Sequence, residues 1–420
     1  MSAKFLFLLG TILALVHSSS SHHAAPLPSA TLEAGVIVGT TSTALGSTVT
    51  VNQFLGVPFA TKPMGKTIEN DQTSSLLPST ILSTYTPPPA GESEDCLYLD
   101  VYFPATATKN KPVIFFFYGG SYIYGTNSVP RYDGTNFAAN QDIIIVAPNY
   151  RLNVFGFSNS PQIPLDQRNV GFYDQRLSRQ WVERSIHAFG GDPRAITIWG
   201  QAAGASSVDN FITTMPINPP FRAAILHSGQ AGISNKVTNG TVAWDALAQQ
   251  LNCSTQPDVL NCVRAANAST IISILENSVL FFNPAKDNVT DLQDPEIARK
   301  LGNVARVSVL VGTIAQDGSV YDEKQPLILK YGQDNTTAWL RSAVGDHPML
   351  IGLVEEEYSI NSTANGWPIT NVYEQISAIY TDAVYQCPMS IMANDSLNAG
   401  ISTWRFMYNV TFPDLQPIRG

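Results

Sequence analysis

The stretch Trp-Gly-Gln-Ala-Ala-Gly-Ala at 199–205 directly follows the apolar, strand-like run Ala-Ile-Thr-Ile-Trp at 195–199. A strand, a Gly-x-Ser-x-Gly turn and a helix together form a nucleophile elbow, which raises a serine hydroxyl above the end of a sheet. Its glycines are needed because the turn leaves no room for a Cβ atom and takes unusual backbone angles. Here Ala202 stands at the serine position. The sequence therefore predicts an elbow without its nucleophilic hydroxyl.

Outward from this turn, apolar runs alternate with a helical pattern, which predicts an α/β fold with a central, mostly parallel sheet flanked by helices. Short continuous apolar runs are typical of strands that are buried on both faces. The predicted strands are residues 97–103, 113–117, 143–147, 195–199, 307–311 and 404–408. A helix is predicted over 174–189, ended by Gly190. The apolar side chains assigned to one face of that helix are Leu177, Trp181, Val182 and Ile186.

The composition is that of a globular protein with a large core. The chain has 420 residues, of which 44% are hydrophobic, and a formal net charge of −9. It contains no basic run, so nucleic acid and anionic membrane surfaces are not expected as partners. No Cys-x-x-Cys or His-rich spacing suggests a metal site, and none is predicted.

The N-terminus predicts secretion. Lys4 precedes an apolar run at 5–16, and small residues at 18–25 offer a cleavage site. A membrane anchor is the alternative, but the run is shorter than the roughly 18–20 residues that a membrane span needs. We expect a signal peptide over residues 1–20, followed by one domain over 26–420.

Eight Asn-x-Ser/Thr sequons, all after residue 230, support an extracellular glycoprotein. Their asparagines are Asn239, Asn252, Asn267, Asn288, Asn335, Asn361, Asn394 and Asn409. In an oxidising compartment Cys253 and Cys262 are the natural disulfide pair. For Cys96 and Cys387 the sequence leaves three possibilities open: they pair, stay free, or have lost their partners.

Several further motifs occur in a fixed order along the chain. They are Gly-Val-Pro-Phe-Ala at 56–60, Ser-Glu-Asp-Cys-Leu-Tyr-Leu at 93–99, Tyr-Gly-Gly-Ser-Tyr at 118–122, Asn-Tyr-Arg-Leu at 149–152, Asn-Val-Gly-Phe-Tyr-Asp-Gln-Arg-Leu at 169–177, Phe-Gly-Gly-Asp-Pro at 189–193, His-Ser-Gly at 227–229 and Gly-Thr at 312–313. With the elbow, this ordered set resembles the type B carboxylesterase/lipase family, in its secreted fungal branch. The cholinesterases and the non-catalytic neuroligins belong to the same family. The resemblance extends from about residue 32 to the end of the sequence.

The resemblance implies an α/β-hydrolase fold that hydrolyses small-molecule or lipid carboxylic esters without a metal or cofactor. The family uses a Ser–acid–His triad and an oxyanion hole of backbone N–H groups. Carried over to this sequence, the nucleophile position is Ala202 and the acid is Asp317. The oxyanion donors are Gly120, Ser121 and Ala203. The Cys253–Cys262 pair matches the family's second disulfide.

This sequence departs from the family at several points. The family's early disulfide has no counterpart because no cysteine precedes Cys96, and Gln201 replaces the acidic residue of the elbow. The family's catalytic histidine follows the last strand, so ending at Gly420 leads us to expect a C-terminal truncation, an exposed sheet edge and a missing histidine. The histidines outside the signal region have other expected roles: His187 lies in the predicted helix, His227 packs, and His347 is a weak candidate for the general base.

Replacement of the lost hydroxyl by Ser206 or Ser207 is not expected. Both lie about one helical turn beyond Ala202, where side chains point away from the apex, and we predict that they are solvated or capping groups. Tyr122, Tyr124 and the run at 279–282 either line a substrate pocket or belong to the core.

Three hypotheses follow from this pattern. The first is a family member that is catalytically dead or strongly impaired. The second is a binding or adhesion protein with a protein partner, as in neuroligins. The third is an active esterase whose sequence is incomplete or altered at position 202.

Overall fold

The computed structural model of the protein describes residues 27–63, 93–106, 108–232, 240–278, 280–321, 335–364 and 366–410. The predicted signal peptide and the sequon at Asn239 lie outside these residues. In this part of the chain the strands are β1 Ser29–Leu32, β2 Gly35–Val38, β3 Thr40–Thr43, β4 Thr50–Pro58, β5 Tyr98–Pro104, β6 Lys111–Phe117, β7 Ile144–Pro148, β8 Gly191–Gln201, β9 Ala223–His227, β10 Ser308–Ile314, β11 Thr363–Ala364, β12 Trp367–Pro368 and β13 Thr403–Tyr408.

Helices connect most of these strands. The α-helices among the described residues are α1 Thr135–Gln141, α2 Asn153–Gly156, α3 Val170–Ser185, α4 Ala203–Thr214, α5 Gly240–Gln250, α6 Val259–Ala265, α7 Ala268–Ser278, α8 Pro295–Lys300, α9 Thr336–Val344, α10 Pro348–Glu357, α11 Val372–Tyr380 and α12 Cys387–Asn398. A π-helical turn, Thr381–Gln386, joins α11 to α12. Short 3₁₀ turns are Pro130–Tyr132, Leu165–Gln167, Ile186–Phe189 and Asp317–Tyr321.

Nine strands form one sheet in the order β13-β10-β9-β8-β6-β7-β5-β4-β3. The six strands from β13 to β7 are mutually parallel, and β5, β4 and β3 continue one edge in antiparallel pairing. Helices α3 and α4 pack against β8, and α12 packs against β10 and β13. The predicted α/β fold with a mostly parallel sheet flanked by helices is therefore confirmed.

The central strands are apolar because helices remove them from water. The side chains of Val113, Phe115 and Phe117 on β6 and of Ile196 and Ile198 on β8 are fully buried. Each predicted strand is present, with ends that differ from the prediction by up to four residues.

The predicted helix over 174–189 is displaced in the structure. Helix α3 begins at Val170 and ends at Ser185, and a 3₁₀ turn continues it to Phe189. Gly190, at φ 85°, closes this turn in the left-handed conformation that glycine adopts most easily. The assignment of Leu177 to the buried face is wrong, since its side chain is 36% exposed while Ile186 is buried. Nine residues at about 100° each place these two side chains on opposite sides of a helix.

A second, smaller core lies under helices α5, α6 and α7. The Cys253–Cys262 disulfide is present at its edge, which confirms the predicted pair. Cys96 and Cys387 are both free thiols, so a bridge between them is excluded, and burial raises the pKa of Cys96 to about 12. Phe282 is fully buried in this core rather than lining a pocket. Residue 279 of the same run lies outside the described residues.

Among the residues that the structure describes, no helix combines the length and apolar character that crossing a membrane requires.

Two helical glycines provide a test of the packing. A Cβ atom at Gly204, in the first turn of α4, would lie 2.1 Å from the carbonyl oxygen of Phe117. A Cβ atom at Gly352, inside α10, would meet nothing within 4 Å. We expect Gly204→Ala to lower the free energy of unfolding by about 3 kcal/mol, because the backbone of β6 must move. The matched control Gly352→Ala should raise it by up to about 1 kcal/mol. Urea unfolding measures both, and equal effects of the two substitutions would contradict this packing.

Candidate active site

The C-terminal ends of β6 and β8 lie side by side at a switch point of the sheet. The chain leaves β6 to form β7 on one side and returns to form β8 on the other. Such switch points open a crevice at the carboxyl ends of parallel strands, where α/β proteins bind ligands. Phe117, the last residue of β6, pairs with Gly200 of β8. The glycine loop that follows β6 and the turn that follows β8 are therefore neighbours.

The turn after β8 has the geometry of an elbow. Ala202 lies at φ 50° and ψ −120°, its N–H donates to the carbonyl of His227 (2.9 Å), and its carbonyl accepts from the N–H of Ser206 (2.9 Å). A Cβ atom at Gly200 would lie 2.2 Å from the carbonyl oxygen of Gly204. This contact explains the first glycine of the motif, and the approach of Gly204 to the carbonyl of Phe117 explains the second. The methyl group of Ala202 occupies the apex.

The glycine loop packs directly against this apex. A Cβ atom at Gly119 would lie 2.7 Å from the carbonyl oxygen of Gln201 and 3.1 Å from the Cβ of Ala202, and the first of these contacts is too short for any residue but glycine. Gly120 follows at φ 126°, and its carbonyl accepts from the N–H of Ile123 (2.9 Å). Among the described residues, the N–H groups of Gly120, Ser121 and Ala203 donate no backbone hydrogen bond. The structure thus brings together the three predicted oxyanion donors, and their role in binding an oxyanion stays a prediction.

Asp317 begins the 3₁₀ turn that follows β10, three residues beyond the end of the strand, and is only 7% exposed. Its Oδ2 accepts two hydrogen bonds of 2.9 Å, from the N–H of Ile314 and the hydroxyl of Ser228. Burial raises the pKa of Asp317 to about 6, and the two hydrogen bonds only partly oppose this rise. Neither of these donors carries a positive charge.

Sequence reasoning missed Ser228 as a partner of the acid. This serine follows β9 in the His-Ser-Gly motif, and its N–H donates to the carbonyl of Gly312 on β10 (2.7 Å). Because β9 and β10 are adjacent parallel strands, residues just beyond their carboxyl ends meet. The His-Ser-Gly motif could have drawn attention to Ser228, but only the order of the strands shows that this serine reaches Asp317.

The described histidines do not complete a triad. His227 is half-buried, its Nδ1 accepts from the indole N–H of Trp199 (3.2 Å), and its ring packs edge-on against Trp199 and Phe406. Burial lowers its pKa. His187 and His347 are exposed on the surface, the latter at the start of α10. In the described part of the chain, no hydrogen bond joins a histidine to Asp317.

The two serines one turn beyond the apex are buried, so the expectation that they are solvated is wrong. Ser206 donates to the carbonyl of Gln230 (2.9 Å), and Ser207 donates to the carbonyl of Ala203 (3.2 Å). Helix α4 packs so closely against the sheet that nearly all of its residues are buried. Hydroxyls there must bond within the protein, because a buried polar group without a partner is costly.

The described residues include no cluster of His, Cys, Asp or Glu side chains that could hold a metal ion. The chemical groups at the site are the three backbone N–H donors and the buried carboxyl of Asp317. Such donors can polarise a carbonyl group, whereas the apex offers no atom that could attack it.

Comparison with known proteins agrees with this architecture. A model of the carboxylesterase family matches residues 26–416. The chain is similar to the acetylcholinesterase of Bungarus fasciatus, with 32% identity over 307 residues, which are 64% of this chain and 50% of the relative. It is also similar to the cholinesterase of Mus musculus, with 33% identity over 327 residues (69% and 54%), and to the para-nitrobenzyl esterase of Bacillus subtilis (strain 168), with 32% identity over 316 residues (69% and 63%).

The chain thus spans about half the length of the first two relatives. The family model, by contrast, covers nearly all of the chain, including the strands, the elbow and the acid. The chain therefore belongs to the carboxylesterase family.

Proposed function

We propose that this protein binds carboxylic esters at the crevice beside Ala202 and hydrolyses them very slowly or not at all. One observation carries the proposal: the turn after β8 has the geometry of an elbow and packs against the glycine loop, while its apex carries a methyl group. The ester carbonyl would accept hydrogen bonds from Gly120, Ser121 and Ala203. Small-molecule and lipid esters are the ligand class, and no cofactor enters the proposed chemistry.

The impairment follows from the order of events in serine esterases. A serine attacks the carbonyl, and a histidine removes and returns its proton, so that an acyl-enzyme forms and is hydrolysed. Ala202 cannot attack, and Ser206 and Ser207 are turned into the protein by their hydrogen bonds. An oxyanion hole and substrate binding alone leave about 10³–10⁴-fold over the rate in water. For an unactivated ester this is negligible turnover.

The state of Asp317 fits the same proposal. In a working triad the acid is ionised beside an imidazole that becomes positively charged. Asp317 lies in a buried position with neutral donors, and its pKa is raised to about 6. This environment opposes the ionised form that a triad acid requires.

Reuse of the frame for binding a protein is the second candidate. The observation that favours it is the outer strand β13, where Trp404 is 57% exposed, Met407 45% and Tyr408 40%. Exposed apolar side chains in a row are typical of interaction surfaces.

We further propose that the protein is secreted and glycosylated, and that it belongs to the secreted fungal branch that its motifs resemble. The surface position of its sequon asparagines supports glycosylation, because oligosaccharides need exposed acceptors. The exposed asparagines are Asn252, Asn267, Asn288, Asn335, Asn361, Asn394 and Asn409.

Labelling with a fluorophosphonate tests the lost nucleophile. We expect no adduct on the natural chain by intact mass. We also expect Ala202→Ser to leave the rate of p-nitrophenyl acetate hydrolysis within about tenfold of the natural chain. No described histidine is hydrogen-bonded to Asp317, and a serine without a general base lacks a factor of about 10²–10⁴. Ser206→Ala is the control and should not change the residual rate.

An adduct on the natural chain would overturn the proposed impairment. A rise of about 10³-fold or more in Ala202→Ser, the scale of an intact triad, would show instead that the site lacks only its hydroxyl.

The raised pKa of Asp317 predicts a pH-dependent stability. The folded protein binds this proton more tightly than the unfolded chain, so the stabilisation is complete below about pH 4 and is lost as the pH rises to about 6. Asp317→Asn keeps both hydrogen-bond acceptor contacts and removes the ionisation. Relative to the natural chain, we expect this variant to gain about 2 kcal/mol of unfolding free energy between about pH 4.5 and 7.5.

Urea unfolding at both pH values measures the gain. Asp346→Asn, at a carboxylate that is 79% exposed, controls for the loss of one negative charge. A pH-independent difference between Asp317→Asn and the natural chain would contradict the raised pKa of the buried Asp317 carboxyl.

Glycosylation is tested on protein secreted from a eukaryotic host. Enzymatic removal of N-linked glycans should lower the intact mass by several glycan units, and a mass unchanged by this treatment would contradict the proposal. Replacement of each exposed sequon asparagine by glutamine identifies the modified sites.

A further inference from the structure

The oxyanion loop contains two adjacent non-glycine residues in the left-handed conformation. Ser121 lies at φ 56° and Tyr122 at φ 62°. L-residues disfavour this conformation because the Cβ atom crowds the following carbonyl oxygen. Other contacts must therefore hold the loop in place, and Tyr122 makes several of them.

Tyr122 anchors the loop at three points. Its carbonyl accepts from the N–H of Asn153 (2.7 Å), and its ring packs edge-on against Phe157 and Phe172 at 5.3 and 5.5 Å between centroids. Its hydroxyl lies 3.2 Å from the hydroxyl of Ser207 in helix α4. The side chain is buried, with 4% of the residue exposed.

The hydrogen-bonding capacity of Ser207 sets the direction of this contact. Ser207 donates its one proton to the carbonyl of Ala203 (3.2 Å) and accepts from the side-chain amide of Gln175 (2.9 Å). A hydroxyl has one donor and two acceptor positions, so the remaining acceptor position takes the proton of Tyr122. Burial keeps the phenol protonated by raising its pKa. The hydrogen bonds thus run from Tyr122 through Ser207 to Ala203.

These two bonds connect the two halves of the oxyanion hole. One half is the loop, with Gly120 and Ser121, and the other is the first residue of α4, Ala203. We propose that Tyr122 and Ser207 are positioning residues, which fix the spacing between the N–H groups of the loop and the N–H group of the helix. The inference rests on the proposed function, since it concerns the donors that would bind the ester carbonyl.

A purely apolar role does not account for the hydroxyl. Phenylalanine would fill the same space between Phe157 and Phe172 without the cost of burying a polar group. The hydroxyl of Tyr122 makes a hydrogen bond from the oxyanion loop to helix α4. Its acceptor, Ser207, is held in place by a hydrogen bond from the side-chain amide of Gln175 in α3. Tyr122→Phe therefore removes the connection while it keeps the aromatic packing.

Infrared spectroscopy of a bound ester measures the effect directly. Because the natural chain lacks a nucleophile, phenyl acetate labelled with ¹³C at its carbonyl stays intact when bound. Hydrogen bonds from the oxyanion donors lower its carbonyl stretching frequency relative to the free ester. We expect Tyr122→Phe and Ser207→Ala each to lose most of this lowering, and the double variant to lose no more than either single variant.

The control variant is Tyr98→Phe, which removes a tyrosine hydroxyl that donates to Asp95 Oδ1 (3.0 Å) outside the site. It should keep the full frequency lowering. Urea unfolding of all variants separates a repositioned loop from a destabilised fold.

The outcomes are distinct. A full lowering in folded Tyr122→Phe, with ester bound, overturns the positioning role and leaves the proposed function standing. No lowering in the natural chain overturns the proposed function and the positioning role with it. If Tyr122→Phe does not fold, Ser207→Ala alone decides, since its smaller side chain leaves the aromatic packing unchanged.

Discussion

The close approach of helix α4 to the end of strand β6 is the contact on which the site depends. Gly204 lies so near the carbonyl of Phe117 that no side chain fits between them. This approach places the first turn of α4 beside the glycine loop, and the backbone takes its unusual conformation at Ala202, the residue that leads into the helix. The crevice and the apex of the elbow lie at this contact. The side chain of Ala202, at the apex, takes no part in the contact between Gly204 and Phe117.

The backbone and the side chains of the site are therefore separable. The predicted oxyanion donors are N–H groups, which every residue except proline provides, so a serine at position 121 can offer the same group as a glycine. Nucleophile, base and acid depend on particular side chains. Here alanine stands at the predicted nucleophile position, and burial raises the pKa of Asp317, at the predicted acid position, to about 6. Loss of the chemistry does not require loss of the fold. An alanine carries the same Cβ as a serine, so the turn is unaffected by the substitution.

Much of the fold could be predicted because local patterns decide it. Continuous apolar runs identify strands that are covered on both faces, and the two glycines around Ala202 identify the turn. Strands β1 to β4 were not predicted. β3 and β4 form the antiparallel margin of the central sheet and β1 and β2 form a separate two-stranded sheet, and their many exposed residues make the apolar pattern weak. Leu177 was misplaced because the apolar spacing was taken as one stripe, although positions 177 and 186 face opposite sides of the helix.

The contacts that join distant segments could not be derived from local patterns. Ser228 and Asp317 are 89 residues apart, and Tyr122 and Ser207 are 85 apart. Their meeting depends on strand order and on how α4 packs, neither of which a motif states. These polar contacts are made by particular side chains, and not by the backbone that the fold supplies. A backbone that is held by glycine contacts needs few side chains to keep its shape, and the polar groups around it then determine how well the donors fit a carbonyl. In this protein the buried hydroxyls of Tyr122 and Ser207 join the glycine loop to helix α4 by contacts that no local motif predicts.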